Sequence, residues 1–264
     1  MKALGQHEIK SVVITGCNRG IGLAMLKHFV ENSDPDTQIF SCSRRSSPEL
    51  EELGKKDNVH LITMDITNKE SVESAVAEVT KLLNGKGLNL LINNAARASQ
   101  DVFAKVVDTT TEELNDIYNI NVTSNHLVTV SFYPLLKLSG TSNTDLPMCA
   151  ARGLICNFSS ITASVELAPP FGQFNILVYS YALTKCAINM MTKMCAHEFK
   201  PDGVLCVAVH PGWVKSDMGA LGGDMGTGDI TTDEAAGHMI DIMTGATEEH
   251  TGLYLAKDLK RLPF

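Results

Sequence analysis

The feature that most constrains the fold is a strand-like run joined by glycines to a helix-like run. Ser11–Thr15 is short, apolar and β-branched, and Leu23–Val30 repeats its apolar residues at a helical period. Between them, Gly16, Gly20 and Gly22 form the pattern Gly-x-x-x-Gly-x-Gly. The order predicts a strand, a tight turn and a helix whose N-terminus could hold a pyrophosphate. The glycines could also serve the turn alone, so this segment by itself leaves both interpretations open.

Strand-like and helix-like segments alternate along the rest of the chain. Further strands are predicted at Gln38–Ser43, Val59–Met64, Gly87–Ile92, Gly153–Phe158 and Val204–Val209, with Gly252–Leu255 as a possible last edge strand. Helices are predicted at Lys69–Leu83, Thr111–Leu138, Tyr181–Phe199 and Thr231–Met243, with a short one between Ser46 and Asn58. This alternation predicts one α/β domain over residues 1–264, a doubly wound, mainly parallel, Rossmann-like sheet.

The composition limits which partners the protein can bind and in which cellular compartment it is expected. The net charge is −8 without a basic run, which argues against nucleic acid and anionic membranes. No apolar run approaches the ~20 residues of a membrane span, and Met1–Lys10 lacks the apolar core of a signal peptide. Seven cysteines without Cys-x-x-Cys pairs indicate reduced, mostly buried thiols in a cytoplasmic protein, and no metal site.

The notable motifs all follow the predicted strands. In a doubly wound sheet, ligands bind beyond the carboxyl ends of the strands. This common location predicts a nucleotide-like ligand across one edge of the sheet, with Ser160 and Tyr181 at its reactive end. The motifs at that edge are Gly16–Gly22, Arg44, Asp65, Asn93, Ser160 and Pro211-Gly212.

Two arginines bear on the choice of nucleotide. An NAD site places Asp or Glu about 20 residues beyond the glycines, against the ribose 2′-hydroxyl. Here Ser43 and Arg44 stand at that position, and Arg19 lies inside the glycine turn. Two guanidinium groups favour a 2′-phosphate, so NADP(H) is the predicted cofactor. The alternative is that Arg44 and Arg45 are solvated loop residues.

Tyr181 and Lys185 form a pair suited to proton transfer. At positions i and i+4 they share one face of a helix. A phenol titrates near ~10, and a neighbouring cation should lower its pKa toward the working range. Such a pair also occurs by chance on helix surfaces, so its weight depends on the other motifs.

Together the motifs resemble the short-chain dehydrogenase/reductase family over essentially the whole chain. They are Thr15-Gly-x-x-x-Gly-x-Gly22, Asn93-Asn94-Ala95, Asn121, Ser160, Tyr181-x-x-x-Lys185 and Pro211-Gly212. Within the family, Thr15–Gly20 and His210–Gly219 are similar to the Sniffer-like carbonyl reductases and the bacterial C-factor group.

The resemblance implies four catalytic residues. Tyr181 would protonate the carbonyl oxygen as general acid, and Lys185 would lower its pKa and hold the nicotinamide ribose. Ser160 would orient the substrate oxygen. Asn121 would position a water in a proton relay to Lys185, unless it is a core amide. The competing hydroxyl groups are those of Ser159 and Tyr179, and His210 is expected to be a packed residue at a strand end.

The resemblance also implies the residues that hold NADP(H). Asp65 would contact the adenine, and Ser216, in place of the usual Thr, would keep a hydroxyl for the nicotinamide amide. Ala96 departs from the Asn-Asn-Ala-Gly pattern. The implied set is Gly16, Asn18, Arg19, Gly20, Ile21, Gly22, Arg44, Asp65, Ile66, Asn93, Ala95, Tyr181, Lys185, Pro211, Gly212, Val214 and Ser216.

The expected activity is NADPH-dependent reduction of aldehydes, ketones or quinones. Two alternatives remain: a non-catalytic NADP(H)-binding regulatory or signalling protein, and an alcohol or steroid dehydrogenase that works oxidatively. The substrate pocket is expected to involve Ile161–Ser180 and Trp213–Thr231. The composition of these segments does not identify the substrate. A homodimer is expected through the helices Thr111–Leu138 and Tyr181–Phe199.

Overall fold

A sheet of eight strands runs through the part of the chain that the computed structural model describes, residues 7–99, 101, 104–168, 178–221 and 228–264. The strands are β1 (Ser11–Thr15), β2 (Gln38–Ser43), β3 (Val59–Thr63), β4 (Leu90–Asn93), β5 (Leu154–Phe158), β6 (Leu205–Val209), β7 (Tyr254–Ala256) and β8 (Lys260–Arg261). Their order is β3-β2-β1-β4-β5-β6-β7-β8, and every neighbouring pair except β7 and β8 is parallel. The doubly wound, mainly parallel sheet is thereby confirmed.

Helices cover both faces of the sheet. They are α1 (Gly20–Asn32), α2 (Pro48–Leu53), α3 (Lys69–Leu83), α4 (Thr111–Tyr118), α5 (Ser124–Ser142), α6 (Tyr179–Phe199) and α7 (Thr232–Gly245). Along β1, Val12 and Ile14 pack on the face covered by α1, α2 and α7, whereas Val13 packs on the face covered by α3, α5 and α6. None of the helices within the described ranges has the length and hydrophobicity to cross a membrane.

The strand order reverses between β1 and β4. The chain proceeds from β1 to β2 and β3 on one side and then returns to place β4 on the other side of β1. At such a reversal, the loops beyond the carboxyl ends of the two central strands diverge and leave a crevice. The glycine turn after β1 and the asparagines that end β4 lie at this crevice, which is where the sequence placed the ligand.

The long helix predicted at Thr111–Leu138 is interrupted. The structure has α4, then a π-helical turn at Asn119–Thr123, then α5. In the wider turn the backbone N–H of Ser124 donates to the carbonyl of Asn119, and its hydroxyl bonds the same oxygen at 2.8 Å. The prediction of one regular helix was therefore wrong at the polar residues in its middle.

The far edge of the sheet also differs from the prediction. Gly252–Leu255 was expected to be the last strand. The strand at this place is β7, which begins at Tyr254, and it is not the last one. A further strand, β8, pairs antiparallel with β7 at the edge of the sheet. β8 has two residues, both exposed, so its sequence has no buried pattern that could reveal it.

Candidate active site

The glycine turn packs closely on itself and leaves the start of α1 open. A Cβ on Gly22 would lie 2.2 Å from the carbonyl oxygen of Gly16, so only glycine fits there. Gly20 has φ +60, with nothing within 4 Å of a Cβ position. Arg19 caps α1 without a side-chain hydrogen bond, and the first turn has no acidic residue. The free N–H groups of this turn suit an anion such as a pyrophosphate. Asn18 lies half-buried in the turn, and Ile21 packs against the core below it.

Asn94 and Thr15 join the end of β4 to the glycine turn. The Asn94 amide donates to the carbonyl oxygens of Thr15 at 2.8 Å and Gly16 at 3.3 Å. The Thr15 hydroxyl accepts the N–H groups of Asn94 and Ala95, both at 3.0 Å. These bonds fix the width of the crevice. In the sequence, Asn94 stands out only as part of the Asn93-Asn94-Ala95 motif.

Asn93 does not face the crevice with its side chain. Its amide is 3% exposed and donates to Thr129 at 3.0 Å and to Asn157 at 2.9 Å. Asn157 in turn donates to Thr192 at 2.9 Å. The side chain of Asn93 therefore belongs to a buried polar network between β4, β5 and the helices, and only its backbone lies at the site edge.

The structure pairs each candidate arginine with a carboxylate. Arg19 contacts Asp217, which follows β6, in an exposed ion pair. Arg44 lies 4.0 Å from Asp65, also at the surface. Both arginines lie at the carboxyl edge, as expected, but no contact brings their guanidinium groups together among the described residues. Asp217 was not singled out from the sequence, because it lies 198 residues from Arg19.

Asp65 lies two residues beyond the end of β3, with its carboxylate held in place. It accepts the N–H of Thr67 at 2.9 Å and the hydroxyl of Thr67 at 2.7 Å. These hydrogen bonds, with a smaller contribution from Arg44, lower the pKa of Asp65. Ile66 packs against the core beneath the sheet.

The loop after β6 makes a second sharp turn at the site. Gly212 has φ +91 beside the half-buried Pro211, and Val214 forms a parallel bridge with Ile230. The Ser216 hydroxyl donates to the Val214 carbonyl at 3.3 Å and accepts the N–H of Gly219 at 3.2 Å. In this arrangement Ser216 stabilises its own turn.

Tyr181 and Lys185 lie in the first turns of α6, and the ammonium nitrogen of Lys185 is 5.4 Å from the centre of the Tyr181 ring. That nitrogen donates to the carbonyl of Phe158, at 2.6 Å, from a side chain that is 3% exposed. Burial lowers the pKa of Lys185 to about 8. Burial also raises the pKa of Tyr181, which is opposite to the expected effect of Lys185. The reason is that the loss of water around the phenol raises its pKa more than the Lys185 ammonium lowers it, because that ammonium is directed at a backbone carbonyl.

Ser159 and Ser160 occupy different environments. Ser159 is 3% exposed and donates to Asn189 at 2.7 Å, so its hydroxyl is engaged with α6. Ser160 is half-buried, and its hydroxyl accepts the side-chain hydroxyl of Thr162 at 3.0 Å. His210 lies beside them, half-buried, with a pKa lowered to about 4 by loss of water, and its Nδ1 accepts the N–H of Ile161 at 3.2 Å.

Asn121 lies in the π-helical turn and is 2% exposed. Its oxygen accepts the N–H of Arg97 at 2.8 Å, and its amide donates to the carbonyl of Arg97 at 2.9 Å and to Thr184 at 3.1 Å. With these bonds Asn121 is a core amide, the alternative expected beside a role in a proton relay. One acceptor position of the oxygen remains, which is the capacity a relay water would need.

A polar network that the sequence did not reveal supports the first turn of α6. Arg97 pairs with Glu113 at 2.8 Å, and the Ser180 hydroxyl donates to Glu113 at 3.4 Å. Ser99 bonds the Ser180 hydroxyl at 2.8 Å and accepts the N–H of Tyr181 at 3.3 Å. The loop after β4 therefore fixes the backbone that bears Tyr181.

The predicted substrate segments are described in part. Residues 169–177 and 222–227 lie outside the described residues. The described part of Ile161–Ser180 contains the 3₁₀ turn Ile161–Ala163, which begins directly at Ser160.

The chain is similar to known proteins in both sequence and fold. The family model of the short chain dehydrogenases matches residues 10–224. The carbonyl reductase Sniffer of D. melanogaster superposes with a TM-score of 0.88 at 30% identity, covering 97% of this chain and 100% of that one. An NADPH-bound carbonyl reductase from chicken fatty liver superposes at 0.86 and 30% identity, covering 98% and 100%. An uncharacterized oxidoreductase of Saccharomyces cerevisiae is 30% identical over 261 residues, 93% of this chain and 94% of that one.

Proposed function

Because this chain belongs to the short-chain dehydrogenase family, we propose that it reduces aldehydes, ketones or quinones with NADPH. The observation that supports this most is the state of the Tyr181–Lys185 pair. A phenol holds its proton at neutral pH and can donate it to an oxygen, and the Lys185 ammonium, 5.4 Å from the centre of the Tyr181 ring, can stabilise the phenolate that is left. Similarity to two carbonyl reductases, one of them NADPH-bound, supports the same direction of reaction.

The residues at the crevice fit a dinucleotide. The pyrophosphate would lie against the glycine turn and the uncapped start of α1, where backbone N–H groups are free. Arg19 and Arg44 would bind the 2′-phosphate, and the chain has no acidic residue directly after β2 that would repel it. Asp65 would contact the adenine. Ser216 and the backbone of Asn93, Ala95, Pro211 and Val214 would border the nicotinamide half.

The chain's own side chains would handle the proton. NADPH supplies the hydride, and the protein supplies geometry and charge. Ser160 would donate a hydrogen bond to the substrate oxygen while Tyr181 transfers its proton to that oxygen. The ammonium of Lys185 would stabilise the phenolate left behind, and a water held at Asn121 would return the proton. These interactions strengthen as the oxygen becomes negative, so they act on the transition state.

The direct test is the loss of NADPH absorbance with a panel of diketones and quinones. Wild type, Tyr181→Phe and Tyr179→Phe are compared, because Tyr179 is a neighbouring phenol without a lysine at i+4. We expect activity in wild type and Tyr179→Phe, a loss of at least about a hundredfold in Tyr181→Phe, and slower reaction with NADH. NADPH binding without turnover would favour the regulatory binding protein, and turnover of alcohols alone would favour the oxidative dehydrogenase.

The proposal extends to assembly and compartment. Exposed apolar side chains on α4 and α6, at Tyr118, Leu183, Met190 and Met194, support a homodimer through these helices. Sedimentation of wild type and of Met190→Lys/Met194→Lys tests it: a wild-type monomer would refute the dimer.

All seven cysteines are free thiols, four of them buried, which supports a cytoplasmic location. Fractionation of cells that express the tagged protein tests that location.

A further inference from the structure

The hydroxyl of Ser160 is an acceptor of two hydrogen bonds from a single neighbour. Thr162 donates its side-chain hydroxyl to Ser160 Oγ at 3.0 Å and its backbone N–H to the same atom at 3.3 Å. Both bonds form because Ser160 caps the 3₁₀ turn in which Thr162 lies. Nothing in the sequence pattern pointed to Thr162.

Two further bonds hold the backbone on either side of this hydroxyl. The carbonyl of Ser160 accepts the hydroxyl of Tyr254, a buried residue of β7. The N–H of Ile161 donates to Nδ1 of the half-buried His210 at 3.2 Å. The peptide that follows Ser160 is therefore fixed at both its oxygen and its nitrogen, and the remaining freedom is rotation of the Ser160 side chain.

The hydrogen-bonding capacity of a hydroxyl then decides what Ser160 can do. A serine hydroxyl donates once and accepts twice. Thr162 fills both acceptor positions, so the only capacity left is the proton of Ser160 itself. A substrate carbonyl oxygen is an acceptor and matches that capacity. A hydroxyl that accepts hydrogen bonds is also polarised and becomes a stronger donor.

We propose that Thr162 is a positioning residue for carbonyl reduction: by donating to Ser160 Oγ, it turns the Ser160 proton toward the substrate oxygen. The inference rests on the proposed function, since it concerns the same site. Thr162 acts through Ser160 and need not touch the substrate. Its contribution grows as negative charge develops on the substrate oxygen, so it should appear in kcat more than in KM.

A double-mutant cycle tests whether Thr162 acts through Ser160. Thr162→Val removes the hydroxyl at nearly constant shape, and Thr162→Ser keeps it. We expect Thr162→Val to lower kcat about two- to tenfold with KM changed less than about twofold, and Thr162→Ser to restore most of the loss. In the Ser160→Ala background, Thr162→Val should have no further effect. An equal loss of kcat in both backgrounds would overturn the inference.

A structural measurement decides the question independently of turnover. In crystal structures of wild type and Thr162→Val, Ser160 Oγ should leave its single orientation once the donor at 3.0 Å is removed. An unchanged Ser160 side chain would overturn the inference even if wild type reduced no carbonyl, a result that would refute only the proposed function. Thr162→Ala removes the same hydroxyl without adding a methyl group, and it replaces the valine variant if that variant is unstable.

Discussion

The ammonium of Lys185 lies 5.4 Å from the centre of the Tyr181 ring, and burial shifts the pKa values of the two groups in opposite directions. It raises the pKa of Tyr181 and lowers that of Lys185 to about 8. Near neutral pH the phenol is therefore protonated while most of the lysine is charged. A general acid and a cation that can stabilise its conjugate base are both in place before the reaction begins.

The pKa of Lys185 predicts a pH-dependent stability. The unfolded chain keeps this proton up to about pH 10.5 and the folded chain only up to about 8, so unfolding takes up a proton between these values. Stability therefore rises with pH in that window. We expect the free energy of unfolding of wild type, relative to Lys185→Met, to increase by about 1.4 kcal/mol per unit between about pH 8 and 10. Urea denaturation at several pH values measures it, and a difference that does not vary with pH would contradict the burial argument.

Two glycines of the turn should respond differently to alanine. In Gly22→Ala the Cβ would lie 2.2 Å from the Gly16 oxygen, so the turn must move and the loss of stability should be large. In Gly20→Ala the Cβ meets no atom, and the cost should be only the about 1–2 kcal/mol of a left-handed alanine. Urea denaturation ranks the two. Calorimetry then measures the affinity of the stable Gly20→Ala variant for NADPH. The affinity should fall if the pyrophosphate lies against this turn. Unchanged affinity would refute that placement.

The ion pair between Arg19 and Asp217 should compete with a 2′-phosphate. In Asp217→Asn the guanidinium is released, and NADPH should bind about two- to fivefold more tightly, as expected for an exposed pair. Added salt should reduce this gain. NADH has no 2′-phosphate and serves as the control ligand, with unchanged affinity. Calorimetry with both nucleotides decides, and an equal gain for NADH would show that Arg19 does not select the phosphate.

The sequence was most informative where complete burial or a helix cap marks the bounds of an element. β1, β2 and α3 have the predicted bounds, because β1 and β2 are buried on both faces and α3 begins at the Asn68 cap and ends at the left-handed Asn84. The π-helical turn at Asn119–Thr123 was missed, since the hydrophobic period is the same on both sides of a single wide turn and only its phase shifts. β8 was missed because two exposed residues form no pattern.

The site was predictable as a set of positions and not as a set of contacts. Motifs at strand ends placed Gly16–Gly22, Ser160 and Tyr181 at one edge of the sheet, because parallel strands share a carboxyl edge. The partners of those residues come from distant segments, and no spacing in the sequence joins Arg19 to Asp217. The direction in which the pKa of Tyr181 shifts could not be predicted from the sequence either, since it depends on how much water the fold excludes.

The two adjacent serines should separate stability from catalysis. Ser159 donates to Asn189 in the core, so Ser159→Ala should cost about 1–3 kcal/mol of stability by leaving a buried amide oxygen without its donor. Ser160 contributes no such core bond from its hydroxyl, so Ser160→Ala should lower stability by less than about 1 kcal/mol. Its kcat should fall about a hundredfold or more, the usual cost of losing a donor to a developing oxyanion. Denaturation and NADPH oxidation are measured on both variants. If Ser159→Ala lost turnover at full stability, the hydroxyl that orients the substrate would be that of Ser159, and the assignment of Ser160 would be wrong.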